Sequence, residues 1–253
     1  MAKIIAVANQ KGGVGKTTTA INLSACLAEL GKMVLTIDID PQGNTSSGLG
    51  IDKTELDNTV YELLLGKVDI FECKMPVKCC EMDIIPSSMD LAGAEIELIG
   101  VEHREFLLKK VLDPIKDYYD YIIIDCPPSL NMLTINALAA ADSVMVPLQC
   151  EFYALEGLTQ LINTVNLVKQ RLNPNLELEG IVFTMYDSRT NLSLQVVEEV
   201  RNHLGDKIYD AMIPRNIRLG EAPSYGLPII KYDNRSKGAE SYMELAKEFI
   251  ERG

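Results

Sequence analysis

Residues 10–19 read QKGGVGKTTT, a string whose side chains suit the binding of a polyphosphate. The usual phosphate-binding loop has a glycine, four residues of any kind, and then Gly-Lys-Ser/Thr. Gly15, Lys16 and Thr17 fit the end of that pattern, but Gln10 holds the place of the opening glycine, so the match is a variant. Gly12, Gly13 and Gly15 let backbone N–H groups turn toward one anion without Cβ interference, and Val14 and Thr18 complete the stretch around it. In such a loop Lys16 lies on the β- and γ-phosphates and the Thr17 hydroxyl on Mg²⁺. The alternative is a glycine-rich turn before an ordinary helix, which requires three glycines, a lysine and a threonine to coincide by accident. Lys11 has no place in the standard pattern and needs a separate account.

Three carboxylates stand at the ends of apolar runs. Asp125 closes YIIID, and a carboxylate closing a strand beside a phosphate loop is the usual holder of Mg²⁺, directly or through water. Its alternative is an aspartate that merely caps the strand end. Asp38 and Asp40, in LTIDIDPQGN, are two apart, so both project from one face if the strand extends that far. Two close carboxylates repel unless a cation or water lies between them. The pair is therefore expected to face the metal and the attacking water, with Asp38 toward Mg²⁺ and Asp40, nearer the loop, orienting the water. One of the two could instead cap the turn at Pro41-Gln42-Gly43.

These groups need a scaffold that brings strand ends together. KIIAVAN (3–9) reads as a buried strand and TTTAINLSACLAEL (17–30) as a helix, which gives the strand-loop-helix context the loop requires. Further strand-like runs, MVLTID (33–38), MDIIPS (82–87), YIIID (121–125), SVMVPL (143–148) and LEGIVFTM (178–185), alternate with stretches of helical spacing. Their continuous apolar character predicts strands covered on both sides. The expected fold is α/β: one phosphate-loop NTPase domain over residues 1–253, a twisted, mostly parallel sheet with helices on both faces. Such a sheet binds ligand at the carboxyl ends of its strands, where the motifs also fall.

Composition narrows the function. The chain has 253 residues, is 47% hydrophobic, and shows no repeat or Gly/Ser- or Pro-rich divider. With the first strand beginning almost at once, neither a signal peptide nor an appended DNA-reading domain is expected. INALAAADSVMVPLQ is interrupted by Asp142 and too short to span a bilayer, so a cytoplasmic protein without membrane attachment is expected. Six cysteines lack a Cys-x-x-Cys pair, and the two histidines lie far apart, which argues against structural zinc. The net charge of −12 counts against general nucleic-acid affinity, so any DNA contact must be local.

KGGVGKTTTAINLSACLAELGKMVLTIDIDPQGNTSSGLG, YIIIDCPPSLNMLTINALAAAD and IPRNIRLGEAPSYGLPIIKYDNRSKGAESYMELAKE together resemble the ParA/Soj-type chromosome-partitioning ATPases of the deviant phosphate-loop class. The resemblance implies slow, partner-stimulated ATP hydrolysis with Mg²⁺ in an ATP-dependent homodimer. It implies that Lys11 is the signature lysine that reaches across the dimer to the other subunit's phosphates, and that Lys16 serves its own nucleotide. A cation on the outer lip of the loop is available to a molecule packed face to face, where it would act as an arginine finger does. Otherwise Lys11 folds back onto its own phosphates or into solvent. Pro214 and Asn216 are implied as contacts of the base, and Arg189, Arg218 and Arg215 as non-specific DNA contacts, unless they form surface ion pairs. A ParB-type centromere-binding protein, docking through a basic segment, and association with the nucleoid are implied as well.

Three rival readings use the same loop. A MinD-like division ATPase would need a basic amphipathic C-terminal helix, but GAESYMELAKEFIERG has one apolar stripe, Tyr242, Leu245, Ala246 and Phe249, and an acidic exterior. An iron–sulfur protein of the nitrogenase-reductase type would need cysteine-bearing segments that are not recognisable around any of the six. A nucleotide-gated binding module without turnover is disfavoured by Asp40.

Overall fold

The computed structural model describes residues 1–151 and 154–253. Seven strands form one sheet: β1 (Lys3–Val7), β2 (Val34–Asp38), β3 (Met75–Pro76), β4 (Asp83–Ile85), β5 (Tyr121–Asp125), β6 (Ser143–Gln149) and β7 (Glu177–Thr184). Their order is β3-β4-β2-β5-β1-β6-β7. All neighbours are parallel except β3 and β4. The sheet is mostly parallel, as expected, and β3 is a strand that the sequence reading did not include. It is two residues long and ends in a proline, which has no N–H to give a central ladder and is tolerated at an edge.

The continuous apolar runs become central strands because each face is covered. Ile4 and Ala6 enter one hydrophobic cluster, while Ile5 and Val7 enter the other, as alternating side chains of one strand must. The first cluster is closed by the helices Met132–Ala140, Ala154–Arg171 and Asn191–Leu204. The second is closed by α1 (Lys16–Glu29) and the helix Lys237–Arg252. In the latter helix Tyr242, Leu245, Ala246 and Phe249 are fully buried, the stripe read from the sequence. Burying such a side chain contributes about 1.5–3 kcal/mol. The Tyr242 hydroxyl also lies 3.1 Å from Thr19 Oγ1, which ties this helix to α1.

The register explains where the site must be. Val7 and Asp38 both pair with Asp125, so the ends of β1, β2 and β5 lie side by side. The chain leaves β1 into the glycine-rich loop at the same edge. Strand β2 stops at Asp38, and Asp40 is not on it, contrary to expectation. Pro41 cannot donate to a ladder, and the chain turns instead, with Gly43 N–H donating to Asp40 O at 2.9 Å. The short helix α2 (Asn44–Gly48) follows at once.

Candidate functional site

The glycine-rich loop is pinned at both ends before any ligand is considered. Asn9 donates from Nδ2 to Pro147 O (2.8 Å), and its Oδ1 accepts from Lys11 N–H (3.0 Å). At the other side the Thr184 hydroxyl, at the end of β7, donates to Val14 O (2.7 Å). Gly13 (φ 74°) and Gly15 (φ 88°) occupy the left-handed region that side chains rarely adopt. Gly12 has neither a positive φ nor a neighbour within 4 Å of a hypothetical Cβ, so backbone freedom is not what it supplies. α1 starts without an acidic residue in its first turn and without a side-chain cap, which leaves its positive end available to an anion.

Lys16 is buried and its ammonium donates to Lys11 O at 2.9 Å, curling over the loop. Burial lowers its pKa, and the charges of Asp125 and Asp40 oppose that shift. Lys11 behaves differently: its ammonium pairs with Glu151, just beyond β6, and not with any group of the loop.

Asp125 is fully buried, and Oδ2 accepts from the hydroxyls of Thr17 (2.8 Å) and Thr45 (2.7 Å). Its Oδ1 is also buried and has no partner. Burial, with the nearby Asp38 charge, pushes the carboxyl up to about 7. A buried carboxylate oxygen without a donor is expensive in a dry site, and a cation beside it removes the cost. Mg²⁺ is commonly held by one or two carboxylates with phosphate oxygens and water. That donor set matches a site in which no group of three or more His, Cys, Asp or Glu converges among the described residues. The residues present therefore fit Mg²⁺.

Asp38 is equally buried, but its oxygens are committed. Oδ1 accepts from Asp40 N–H (3.2 Å), and Oδ2 from both N–H (2.8 Å) and hydroxyl (2.7 Å) of Ser46. Burial pushes it up to about 6, against the pull of those bonds. Its contacts are thus with the turn and α2. Asp40, also buried, accepts from Gln42 N–H at 2.9 Å. The two side chains do not share a strand face.

A cavity of about 220 Å³ adjoins the loop, walled by Gly15, Thr18, Thr184, Pro214, Asn216 and Tyr242 among others. It brings Pro214 and Asn216 to the phosphate loop across some 200 residues of sequence. Asn216 Oδ1 caps the helix Ile217–Glu221 by accepting from Arg218 N–H at 2.8 Å. Arg215 lines the same cavity, with its guanidinium 4.0 Å from Met185 Sδ, and makes no ion pair among the described residues. The other two arginines are paired. Arg189 forms a bidentate contact with Asp187 (2.8 and 2.7 Å), and Arg218 pairs with Glu221 (2.8 Å) and Asp233 (3.6 Å).

Sequence reasoning missed Thr45, Ser46 and Glu151, whereas Thr184 opens TMYDSR (184–189), a stretch the family resemblance implied near the base. The hydroxyl-rich NTSSG after Asp40 was a signal for the first two. Glu151 reaches the loop only through the strand order, and nothing local marks it.

A glycine-lined helix N-terminus, a buried lysine and a hydroxyl–carboxylate pair at the carboxyl ends of a mostly parallel sheet define a phosphate-loop NTPase. A family model described as an AAA domain matches residues 2–178. The chain is 58% identical over 253 residues to the sporulation initiation inhibitor protein Soj of Bacillus subtilis, covering 100% of both. It is 55% identical over 250 residues to the chromosome partitioning protein ParA of Myxococcus xanthus, covering 99% of this chain and 88% of that one. It is also similar to the crystal structure of cobyrinic acid a,c-diamide synthase of Mycobacterium smegmatis with bound ATP analog and magnesium. There the TM-score is 0.86 at 40% identity, covering 98% of this chain and 93% of that one. The chain belongs to the ParA/Soj family of chromosome-partitioning ATPases. It is an ATPase, and the similar structure holds an ATP analog and magnesium. No helix among the described residues is long and apolar enough to cross a membrane.

Proposed function

We propose that this ATPase dimerises when it binds ATP, and that the dimer binds DNA without sequence preference to partition a chromosome or plasmid. The observation that carries the reading is the contrast between the two lysines of the loop. Lys16 folds over its own loop, whereas Lys11 is held on the outer lip by Glu151. A second molecule packed against that lip can take the Lys11 ammonium onto its own phosphates, which makes ATP part of the dimer interface.

Within each subunit, Gly12, Gly13, Val14, Gly15, Lys16, Thr17 and Thr18 would hold the phosphates, and Pro214 and Asn216 would hold the base. Thr17 and Asp125 would hold Mg²⁺, with the unpartnered Oδ1 as the available ligand atom. When bound, the ion neutralises charge on the β- and γ-phosphates. Asp38 would act one step further out, by fixing the turn that carries Asp40. Asp40, turned out of the strand, would orient the attacking water. Lys11 from the facing subunit and Lys16 would stabilise charge on the transferred phosphate.

DNA binding has to overcome the net charge of −12. Arg215 makes no ion pair among the described residues. Arg189 and Arg218 are held only by exposed pairs, which are weak and screened by salt, so phosphates can replace their carboxylate partners. The acidic surface also suits a basic segment of a ParB-type centromere-binding partner, and residence on the nucleoid follows from the DNA binding.

The test is light scattering on a sizing column together with gel retardation of unrelated DNA duplexes, each with ATP and with ADP. The expected result is a dimer that retards every duplex with ATP and a monomer that retards none with ADP. Equal behaviour with both nucleotides would overturn the proposal.

A further inference from the structure

The turn between β3 and β4 carries two adjacent cysteines, Cys79 and Cys80, both half-buried. Their sulfurs lie 3.7 Å apart, within range of an S–H···S contact. They border a solvent-open cavity of about 510 Å³ whose wall also holds Glu29, Lys78, Glu81 and Lys231. Lys231 pairs with Glu29 at 2.7 Å across this wall. The cavity lies at the end of α1 opposite Lys16, a 14-residue helix away, or roughly 20 Å. It is separate from the nucleotide site.

We propose that Cys79 and Cys80 form a reactive dithiol for small-molecule disulfides, in which Cys79 attacks and Cys80 resolves. Reactive cysteines are part-exposed thiols, often beside a cation and a second cysteine, and this pair is part-exposed, in contact and next to Lys231, whose charge Glu29 partly offsets. The two sulfurs are not equivalent. The hydrogen bond from Cys80 brings Cys79 down to about 7, and Lys231 adds to that effect. The same contact, with burial, pushes Cys80 up, so it keeps its proton. The contact thus favours a thiolate on Cys79 and a thiol on Cys80. The other four cysteines lack this arrangement: Cys26, Cys73 and Cys126 are buried, and burial pushes the half-buried Cys150 up to about 12.

In the first step the Cys79 thiolate attacks one sulfur of a disulfide R–S–S–R. The S–S bond breaks, R–S⁻ leaves and takes up a proton, and a Cys79–S–S–R mixed disulfide remains. Cys80 then gives up its proton and attacks the Cys79 sulfur, and the second R–S⁻ departs with a proton. In sum, the protein dithiol loses two electrons to form a Cys79–Cys80 disulfide, and R–S–S–R is reduced to two R–SH. Adjacent Cα atoms are about 3.8 Å apart, short of the roughly 4.4–6.8 Å usual across a disulfide. The bond formed is therefore strained and easily reduced, which suits a reversible sensor and not a structural crosslink.

The test is reaction of the folded, nucleotide-free protein with 5,5′-dithiobis(2-nitrobenzoate) at pH 7. Wild type should show a fast phase, about tenfold faster than an ordinary exposed thiol, that releases two thionitrobenzoate anions per chain. Cys80→Ser should release one in that phase and retain a mixed disulfide visible by intact mass. Cys79→Ser should lose the fast phase. Should that variant fold poorly, brief labelling of wild type and peptide mapping identifies the first residue modified. A fast phase that survives Cys79→Ser, first labelling at Cys150, or release of a single anion by wild type would overturn the proposal.

Discussion

The substitution Ser46→Ala separates a structural role for Asp38 from a metal-binding one. The Ser46 hydroxyl donates to Asp38 Oδ2 (2.7 Å) and accepts from Ser87 N–H (3.0 Å), with all three residues fully buried. Alanine removes a hydrogen bond to a carboxylate, worth about 1.5–3 kcal/mol, and leaves a buried N–H unmet at about 1–3 kcal/mol. Asp38 Oδ2 keeps the Ser46 N–H, so the lower half of the combined range applies, about 2.5–4 kcal/mol. Against a typical total stability of about 5–15 kcal/mol, that is a large loss. Urea unfolding without nucleotide, followed by circular dichroism, should show a lower midpoint at unchanged slope. A change below about 0.5 kcal/mol would refute the reasoning. It would mean that Asp38 is not tied to α2 and remains available as a ligand of Mg²⁺.

Three further outcomes test the site. Lys16→Ala should lose ATP affinity in a direct binding titration, whereas Asp40→Ala should bind ATP, release no phosphate and accumulate as a dimer on a sizing column; normal turnover by Asp40→Ala would end its assignment. Lys11→Ala should bind ATP as a monomer but form some hybrid dimer when mixed with Asp40→Ala protein, because one lysine still crosses the interface; normal dimerisation of Lys11→Ala alone would exclude a role in trans. Arg189→Glu combined with Arg218→Glu should abolish DNA retardation while ATP-dependent dimerisation persists, and Arg215→Ala should flatten the slope of log affinity against log salt by roughly 0.9 for each DNA phosphate left without its guanidinium.

The central strands were legible because burial on both faces leaves a mark in composition: YIIID is a strand at the residues expected, 121–125. β3 left no such mark, being two residues at an edge. The position of Asp40 was misread because a period of two was extended through Ile39 to a residue followed by proline, and the chain turned there. Side-chain identity located the phosphate loop, since glycine, lysine and threonine at fixed spacing have few other uses. It could not show that Asp38 spends its oxygens on Ser46, or that Glu151 meets Lys11. The first contact closes the turn after β2, where the pattern marks a hydroxyl cluster but not its partner; the second joins residues 140 positions apart through the sheet order, which no local pattern records.

The packing of α1 against the helix Lys237–Arg252 has a consequence for how the protein is made. α1 ends at Glu29 and its covering helix begins at Lys237, 208 residues later. At about 5–20 residues per second of synthesis, that interval lasts roughly 10–40 s. Throughout it the phosphate loop is joined to a helix whose inner face, including Thr19, Leu23 and Cys26, lacks its final cover. Nascent chains therefore carry the nucleotide-binding motif long before they can hold it rigidly. Incomplete chains are then poor competitors for ATP, and they expose an apolar helix face that chaperones can bind.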